Sequence, residues 1–268
     1  MTESVVAITG ASSGIGKALA LQYAKPGAVL ALVARNTAKL ETIAEACRKK
    51  GATVETVAVD VRDYGAVEQW LRAVNDRTPL DIVFANAGVT NGVAEGEATE
   101  KIEDIQTLLD INLTGAIHTV SAASDIFRKN GGGRIAVISS LASYVGFKGS
   151  PAYCASKAGL RIYCQSMQRA LRPFGIDLTI VYPGYVKTPM SDRIVTAKPF
   201  TKTAEQAAAL IVRAVEQRRT QIGFPWLLWT GVRILAMLPL WGQNIFVPAF
   251  DYQVAEDADK NAATPLPD

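Results

Sequence analysis

Short runs of apolar, β-branched residues alternate with longer segments of helical pattern along most of this 268-residue chain. This alternation predicts a parallel sheet, because parallel neighbours need a long crossover that is usually a helix. We therefore expect an α/β fold in which a three-layer, doubly wound parallel sheet forms a single domain. The predicted strands are Val5–Thr9, Val29–Val33, Thr53–Val59, Ile82–Ala85, Arg134–Ser139, Asp177–Tyr182 and Thr220–Pro225, and helices are predicted at Thr37–Lys50, Tyr64–Asn75 and Lys101–Ser124.

Composition and charge argue against several classes of function. The net charge is +3 and no run of basic residues forms a patch, so nucleic acid is not an expected partner. The three cysteines form no CxxC pair and no cluster with histidine, so we expect no metal site. The first residues, Met1-Thr2-Glu3-Ser4, carry no basic region typical of a signal peptide, and a cytoplasmic location is the expectation.

A glycine-rich turn follows the first predicted strand. Glycines let the backbone turn tightly and approach a pyrophosphate, while the next helix presents free N–H groups to the anion. The alternative is an ordinary tight turn between strand and helix, but its place in the first βα unit favours dinucleotide binding. The residues predicted to bind there are Gly10, Ser12, Ser13, Gly14, Ile15 and Gly16.

The end of the second predicted strand bears on which dinucleotide binds. An acidic residue at this point would bind a ribose diol, whereas an arginine accommodates a 2′-phosphate. The chain has Arg35 and Asn36 here, and no acid before Glu41. Arg35 could be a plain surface arginine, but the pattern favours NADP as cofactor, with NAD less favoured.

Tyr153 and Lys157 are four residues apart and would share one face of a helix. An ammonium beside a phenol favours the phenolate, so this pair could exchange a proton with a carbonyl or alcohol oxygen. The spacing also arises by chance, in which case the tyrosine is a packed helix residue and the lysine a solvated one. The pair gains weight only from the other motifs.

Together these motifs resemble the short-chain dehydrogenase/reductase family, from about Val5 to Met190. The motifs are Thr9-Gly10-Ala11-Ser12-Ser13-Gly14-Ile15-Gly16, Asn86-Ala87-Gly88, Asn112, Ser140, the Tyr153/Lys157 pair and Pro183-Gly184-Tyr185-Val186-Lys187-Thr188. The resemblance implies a Rossmann-like fold and assembly as a homodimer or homotetramer. It also implies hydride transfer between a nicotinamide and a carbonyl or secondary alcohol.

The resemblance further assigns roles to single residues. Tyr153 would be the general acid/base, and Lys157 would lower its pKa and hold the nicotinamide ribose. Ser140 would bind the substrate oxygen, a choice over Ser139 that rests on the family's offset of thirteen residues before the tyrosine. Asn112 would hold a water that links Lys157 to solvent.

The remaining implied contacts concern the cofactor. Asp60 and Val61 would meet the adenine, and Asn86, Ala87 and Gly88 would line the adenosine side. Pro183, Gly184, Val186 and Thr188 would cradle the nicotinamide half. The single histidine, His118, is interpreted as a helix-surface or subunit-contact residue.

The segment 224–250 departs from the family pattern, because it carries three of the four tryptophans and no Val-Asp-Gly-Gly sequence. Arg233 and Pro239 interrupt its apolar run, which argues against a simple transmembrane span. It could form a subunit interface or pocket wall, lie in a membrane interface, or complete the core. A related pattern in the steroid-dehydrogenase-like and ketosphinganine-reductase-like branches favours a hydrophobic substrate.

These inferences combine into one functional hypothesis. Residues 1–221 would form the dinucleotide-binding and catalytic domain, 222–250 an apolar extension of it and 251–268 a loose tail. The resemblance implies that the segment Tyr185–Thr203 is a lid over a small hydrophobic carbonyl or alcohol substrate, and the alternative is an ordinary surface loop with a short helix. The protein would thus be an NADP(H)-dependent oxidoreductase. The alternative is a catalytically idle nucleotide-binding scaffold or sensor with the same fold.

Overall fold

A seven-stranded parallel sheet forms the centre of the computed structural model, which describes residues 4–94, 96–196, 198–247 and 253–254. Its strands are β1 (Val5–Thr9), β2 (Val29–Val33), β3 (Thr53–Val57), β4 (Ile82–Ala85), β5 (Gly133–Ile138), β6 (Ile176–Pro183) and β10 (Gln221–Phe224). Their order across the sheet is β3-β2-β1-β4-β5-β6-β10, and every pair of neighbours is parallel. The α/β, doubly wound fold predicted from the alternating pattern is therefore confirmed.

Helices cover both faces of this sheet. On one face lie α1 (Gly14–Tyr23), α2 (Thr37–Arg48) and α8 (Ala204–Glu216), and on the other α3 (Tyr64–Arg77), α5 (Gly115–Asn130) and α6 (Pro151–Leu171). Successive strand residues point to opposite faces and so enter different cores. In β1, Ala7 packs in the core with α3 and α5, whereas Ile8 packs in the core with α1 and α8.

The predicted helix Lys101–Ser124 is not continuous. It consists of α4 (Ile102–Leu109), a π-helical turn at Asp110–Thr114, and α5, which continues to Asn130. Within the turn, the amide of Asn112 bonds to both backbone groups of Val89 at 2.8 Å. A π turn of this kind often marks a functional site, and its wider backbone admits a side chain bonded to a neighbouring loop.

Shorter elements follow the sheet at the carboxyl ends of its strands. They are β7 (Val186–Lys187), α7 (Pro189–Asp192), β8 (Ile194–Val195), β9 (Lys202–Thr203), α9 (Trp226–Leu235), α10 (Leu240–Phe246) and β11 (Gln253–Val254). The strand β11 pairs with β8 in antiparallel fashion. The rest of the predicted tail, 251–252 and 255–268, lies outside the described residues.

The segment after β10 does not complete the core, so that alternative is wrong for most of its side chains. In α9 and α10 only Leu235 and Gly242 are buried, whereas Trp226, Met237 and Trp241 are among the exposed residues. Within the described ranges, no helix combines the length and apolar character needed to cross a bilayer.

The sheet topology positions the site. From β1 the chain winds outward to β2 and β3, and then returns to β4 on the other side of β1. Ligands of open parallel sheets bind beyond the carboxyl ends of the strands at such a change of direction. The loops that follow β1 and β4 should therefore border the functional cleft.

Candidate active site

A cleft of about 890 Å³ opens at the carboxyl ends of the strands. It brings together residues from distant parts of the sequence, and most of the predicted site residues line it. Those in its wall are Gly10, Ser12, Ser13, Gly14, Ile15, Arg35, Asn36, Asp60, Val61, Asn86, Ala87, Gly88, Ser140, Tyr153, Lys157, Pro183, Gly184, Val186 and Thr188. Gly16 and Asn112 do not line the cleft and lie behind its wall.

The loops after β1 and β4 are bonded tightly to each other. The Asn86 side chain donates to the carbonyls of Thr9 (2.8 Å) and Gly10 (3.2 Å), and the Thr9 hydroxyl accepts the N–H groups of Asn86 and Ala87. A Cβ on Gly16 would lie 2.3 Å from the Gly10 carbonyl oxygen. Gly16 thus permits this close approach instead of touching a ligand.

Gly10 and Gly14 both adopt positive φ angles, +66° and +52°, which favour glycine. The helix α1 begins at Gly14 directly after this turn. The N-cap residue Ser13 makes no side-chain bond to the helix, so the first N–H groups face the cleft without a side-chain cap. This arrangement suits a phosphate anion.

Arg35 stands at the end of β2, where the cofactor's ribose phosphate is expected. Its Nη1 atom is buried and has no hydrogen-bond partner among the described residues. The nearby carboxylate of Asp60 is held by Arg62, through Nε at 3.0 Å and Nη2 at 2.6 Å. Burial raises the pKa of Asp60, but these bonds outweigh burial and leave that pKa below its usual value. Arg35 is therefore left with an unmatched donor.

Tyr153 and Ser140 meet at the floor of the cleft. Burial raises the pKa of the Tyr153 phenol to about 12, although a hydrogen bond with the Ser140 side chain acts in the opposite direction. The neighbouring Ser139 hydroxyl instead donates to the Lys157 carbonyl at 3.3 Å. Ser140 and Ser139 thus make different hydrogen bonds, whereas the sequence distinguished them only by their distance in residues from Tyr153.

Lys157 lies beneath the tyrosine ring on the same helix face. Its Nζ is 5.7 Å from the centre of the Tyr153 ring and donates to the Ile138 carbonyl at 3.1 Å. The side chain is buried, which lowers the Lys157 pKa to about 8. Burial sets the direction of the Tyr153 pKa shift, and the expected lowering by Lys157 stays a prediction.

Asn112 supports the site indirectly. Its side-chain oxygen is fully engaged with Val89 and would lie 3.1 Å from a Cβ placed on Gly88. Lys157 Nζ would be 3.6 Å from that same Cβ, so the amide and the ammonium flank one glycine. The side chain of Asn112 therefore fixes the loop after β4 next to α6.

The wall opposite the polar floor is apolar. It combines residues of the predicted lid with two positions, one turn apart, on α9. Its members include Phe147, Met190, Ile194, Leu228 and Val232. Part of the segment 224–250 thus forms a pocket wall, which is one of the alternatives drawn from the sequence.

Glu100 contacts the start of α6, the helix that carries Tyr153, and the sequence did not reveal this contact. Its Oε2 accepts the N–H of Ala152 at 2.9 Å, in the first turn of α6 and next to Tyr153. Its other oxygen is buried and lacks a partner among the described residues, and burial raises the pKa of this carboxyl. A carboxylate at a helix N-terminus is stabilised by the unpaired N–H groups there.

Two further expectations concern histidine and metals. The Nδ1 atom of His118 lies 3.0 Å from the Val61 carbonyl oxygen, and the ring stacks edge-on against Tyr64. It is partly buried and does not line the cleft. In the described ranges, no group of three or more histidine, cysteine, aspartate or glutamate residues could hold a metal ion.

Comparison with known proteins identifies relatives over most of the chain. A family model described as short chain dehydrogenase matches residues 4–199. An uncharacterized oxidoreductase of Myxococcus xanthus is 32% identical over 240 residues, which cover 89% of this chain and 94% of the relative.

Solved structures show the same architecture. An alcohol dehydrogenase from the archaeon Thermococcus sibiricus, complexed with 5-hydroxy-NADP, has a TM-score of 0.72 and 28% identity, over 83% of this chain and 96% of that one. A short-chain dehydrogenase/reductase from Burkholderia phymatum in complex with NAD has a TM-score of 0.78 over 87% of this chain and 92% of that one. At 24% identity, the second likeness concerns the fold alone.

The contact between Glu100 and α6 predicts different effects for two substitutions. Glu100→Ala leaves the Ala152 N–H without its partner, and we expect a loss of roughly 1 kcal/mol in unfolding free energy. We also expect lower turnover through displacement of Tyr153, since small misplacements of reacting groups are costly. Glu100→Gln keeps an acceptor and should retain turnover. Urea unfolding and steady-state kinetics of both variants measure these effects.

The pH dependence of unfolding provides a control. A carboxyl whose folded pKa is raised contributes stability at acid pH that is lost as pH rises through the folded pKa. As pH rises from acid to neutral, the free energy of unfolding of wild type should therefore fall relative to that of Glu100→Gln. Equal turnover in Glu100→Ala and wild type would show that this contact does not position the tyrosine.

Proposed function

The chain belongs to the short-chain dehydrogenase family of oxidoreductases, and we propose that it is an NADP(H)-dependent member that acts on hydrophobic carbonyl compounds or secondary alcohols. The main support is the floor of the cleft, where Ser140 bonds to a protonated Tyr153 above a buried Lys157. A scaffold that only binds a nucleotide has no need of such a hydrogen-bonded acid. The proposed reaction therefore takes precedence over the idle-scaffold alternative.

The proposed proton transfer follows from the ionisation of Tyr153. Because burial raises its pKa to about 12, the phenol carries its proton at neutral pH and can donate it to a carbonyl oxygen. The Ser140 hydroxyl would bind that oxygen and stabilise the negative charge that develops on it. Bound NADPH would supply the hydride to the carbonyl carbon.

Lys157 would act behind the tyrosine. Its ammonium is positively charged below its lowered pKa of about 8 and stands close to the ring that loses the proton. A positive charge there favours the phenolate once the proton has left. Lys157 would also hold the nicotinamide ribose, and Asn112 would keep the adjacent loop after β4 in place.

The proposed preference for NADP rests on Arg35. A buried guanidinium nitrogen without a partner is costly unless a ligand supplies an acceptor, and a phosphate dianion is a suitable one. The charge of Asp60 acts on Arg35, but the hydrogen bonds of its carboxylate go to Arg62. The glycine turn would hold the pyrophosphate, with Asn36 beside the 2′-phosphate and Thr188 on the nicotinamide side.

The proposed hydrophobic substrate rests on the apolar wall of the cleft. Leu228 and Val232 from α9, together with Met190 and Ile194 from the lid segment, line the same cleft as Ser140 and Tyr153. A site with few polar groups at one end and apolar walls elsewhere binds apolar compounds in one orientation. The substrate's carbonyl would therefore point towards Ser140 and Tyr153.

A screen of NADPH oxidation tests this function directly. Ketones, steroids, ketoacyl esters and long-chain ketones would be assayed with wild type and Tyr153→Phe. We expect turnover by wild type that falls by at least roughly 10²-fold in the variant, because the general acid is lost. NADPH binding, followed by fluorescence, should be unchanged. Turnover that survives the substitution would contradict the role of the tyrosine.

The cofactor preference is tested by Arg35→Asp. The new carboxylate would repel a 2′-phosphate and could bind the ribose diol instead. We expect the ratio of kcat/KM for NADPH over NADH to fall by roughly 10²-fold or more, in line with the loss of a charge-assisted contact. Arg169→Asp makes the same charge change at an exposed position on α6 and should leave the ratio unchanged. An unchanged ratio in Arg35→Asp would refute the argument.

The role of Ser140 predicts a shift in the pH profile. Alcohol oxidation requires the Tyr153 phenolate, so its rate should rise with pH. The Ser140 hydrogen bond lowers the pKa of Tyr153, and Ser140→Ala should therefore move this rise to higher pH. Ser139→Ala is the matched control, because that hydroxyl bonds to the Lys157 carbonyl. Identical profiles for Ser140→Ala and wild type would exclude the proposed coupling.

A further inference from the structure

The outer side of α9 and α10 is an apolar surface without cover in the described chain. We call it the docking face and define it by Trp226, Leu227, Met237, Leu240, Trp241 and Ile245. Both tryptophans are 72% exposed and Met237 is 84% exposed. Single exposed apolar residues are common, but here six large ones lie on two short helices that pack against each other and on the turn between them, which points to an interaction surface.

The side chains of the docking face cannot pack inward, because other side chains of α9 already occupy the inner side of that helix. The Trp229 ring packs directly on Gly223 and stacks on Tyr182, with ring centres 6.2 Å apart. Leu228 and Val232 face the cleft. A helix that is apolar on all sides is normally buried on all sides, so the outer side of α9 needs a partner.

The charge of this region limits what that partner can be. Between 220 and 250 the sequence has a single charged residue, Arg233, and no acid. A twofold contact through the docking face would bring two copies of Arg233 to an interface to which this segment contributes no carboxylate. Outside the described residues, the printed sequence after Val247 has three large apolar or aromatic residues, Phe250, Tyr252 and Leu266, which are half as many as the docking face exposes.

We propose that the docking face binds the surface of a lipid bilayer. Tryptophan is enriched at the level of the lipid headgroups, and the aliphatic side chains between the two tryptophans would enter the acyl boundary. Arg233 stacks on the Trp229 ring at 5.1 Å and can reach anionic headgroups from the rim of the face. With 10 and 7 residues, α9 and α10 have lengths that suit helices lying in the plane of the interface.

Vesicle binding tests this proposal without reference to the reaction. The full-length protein would be sedimented with phosphatidylcholine vesicles that contain phosphatidylglycerol. We expect wild type to sediment with the vesicles and the double variant Trp226→Ser/Trp241→Ser to bind at least roughly tenfold more weakly, since it loses apolar surface. The matched control is Phe174→Ser, which removes a 48% exposed aromatic residue. Phe174 directly precedes β6 and so lies at the amino-terminal ends of the strands, on the side of the sheet away from the cleft. This control should therefore bind vesicles like wild type.

Three results would overturn the proposal. The first is wild type that stays in the supernatant, and the second is equal binding by wild type and the double variant. The third is a wild-type dimer, seen by sedimentation velocity without lipid, that dissociates in the double variant while neither protein binds vesicles. That result would make the surface a subunit interface. Met237→Asp, at the most exposed position of the face, replaces the double variant if the latter does not fold.

Discussion

The close approach of the loops after β1 and β4 is the constraint on which the cleft depends. Parallel pairing of these strands brings the loops together, and the bonds among Thr9, Gly10 and Asn86 then fix the turn. Any side chain at Gly16 would occupy the space of the Gly10 carbonyl. The backbone N–H groups at the start of α1 therefore face the cleft in a fixed arrangement, as anion binding requires.

Burial is the largest influence on the pKa values of Tyr153 and Lys157 at the floor of the cleft. A lysine four residues from a tyrosine suggests a lowered phenol pKa, but the charge acts from 5.7 Å while both groups also lose water. Desolvation disfavours both the phenolate and the ammonium, so the pKa of Tyr153 rises and that of Lys157 falls. Such a site keeps the phenol protonated and holds the charge that will stabilise its anion.

The sequence predicts what local pattern controls and misses what distant contacts control. The bounds of β1, β2 and β4 follow from short apolar runs. The π turn could not be predicted, because it forms where the Asn112 amide bonds to Val89, a residue 23 positions away. Glu100 contacts α6 across 52 positions and carries no local motif. Likewise, local spacing cannot reveal how deeply Tyr153 is buried.

Helix α9 contributes both to a pocket wall and to an exposed apolar face, which the sequence had suggested as alternative roles of the segment 224–250. Trp229 fixes it against Tyr182, so Leu228 and Val232 must face the cleft while Trp226 and Leu227 face outward. A pocket wall and an external apolar face are thus two sides of one short helix. If the outer side lies in a bilayer, a compound dissolved there would meet the apolar wall of the cleft without crossing bulk water. A hydrophobic substrate would then have left water before it reached the cleft, so the hydrophobic effect would add little to its binding and the polar floor would have to recognise its oxygen.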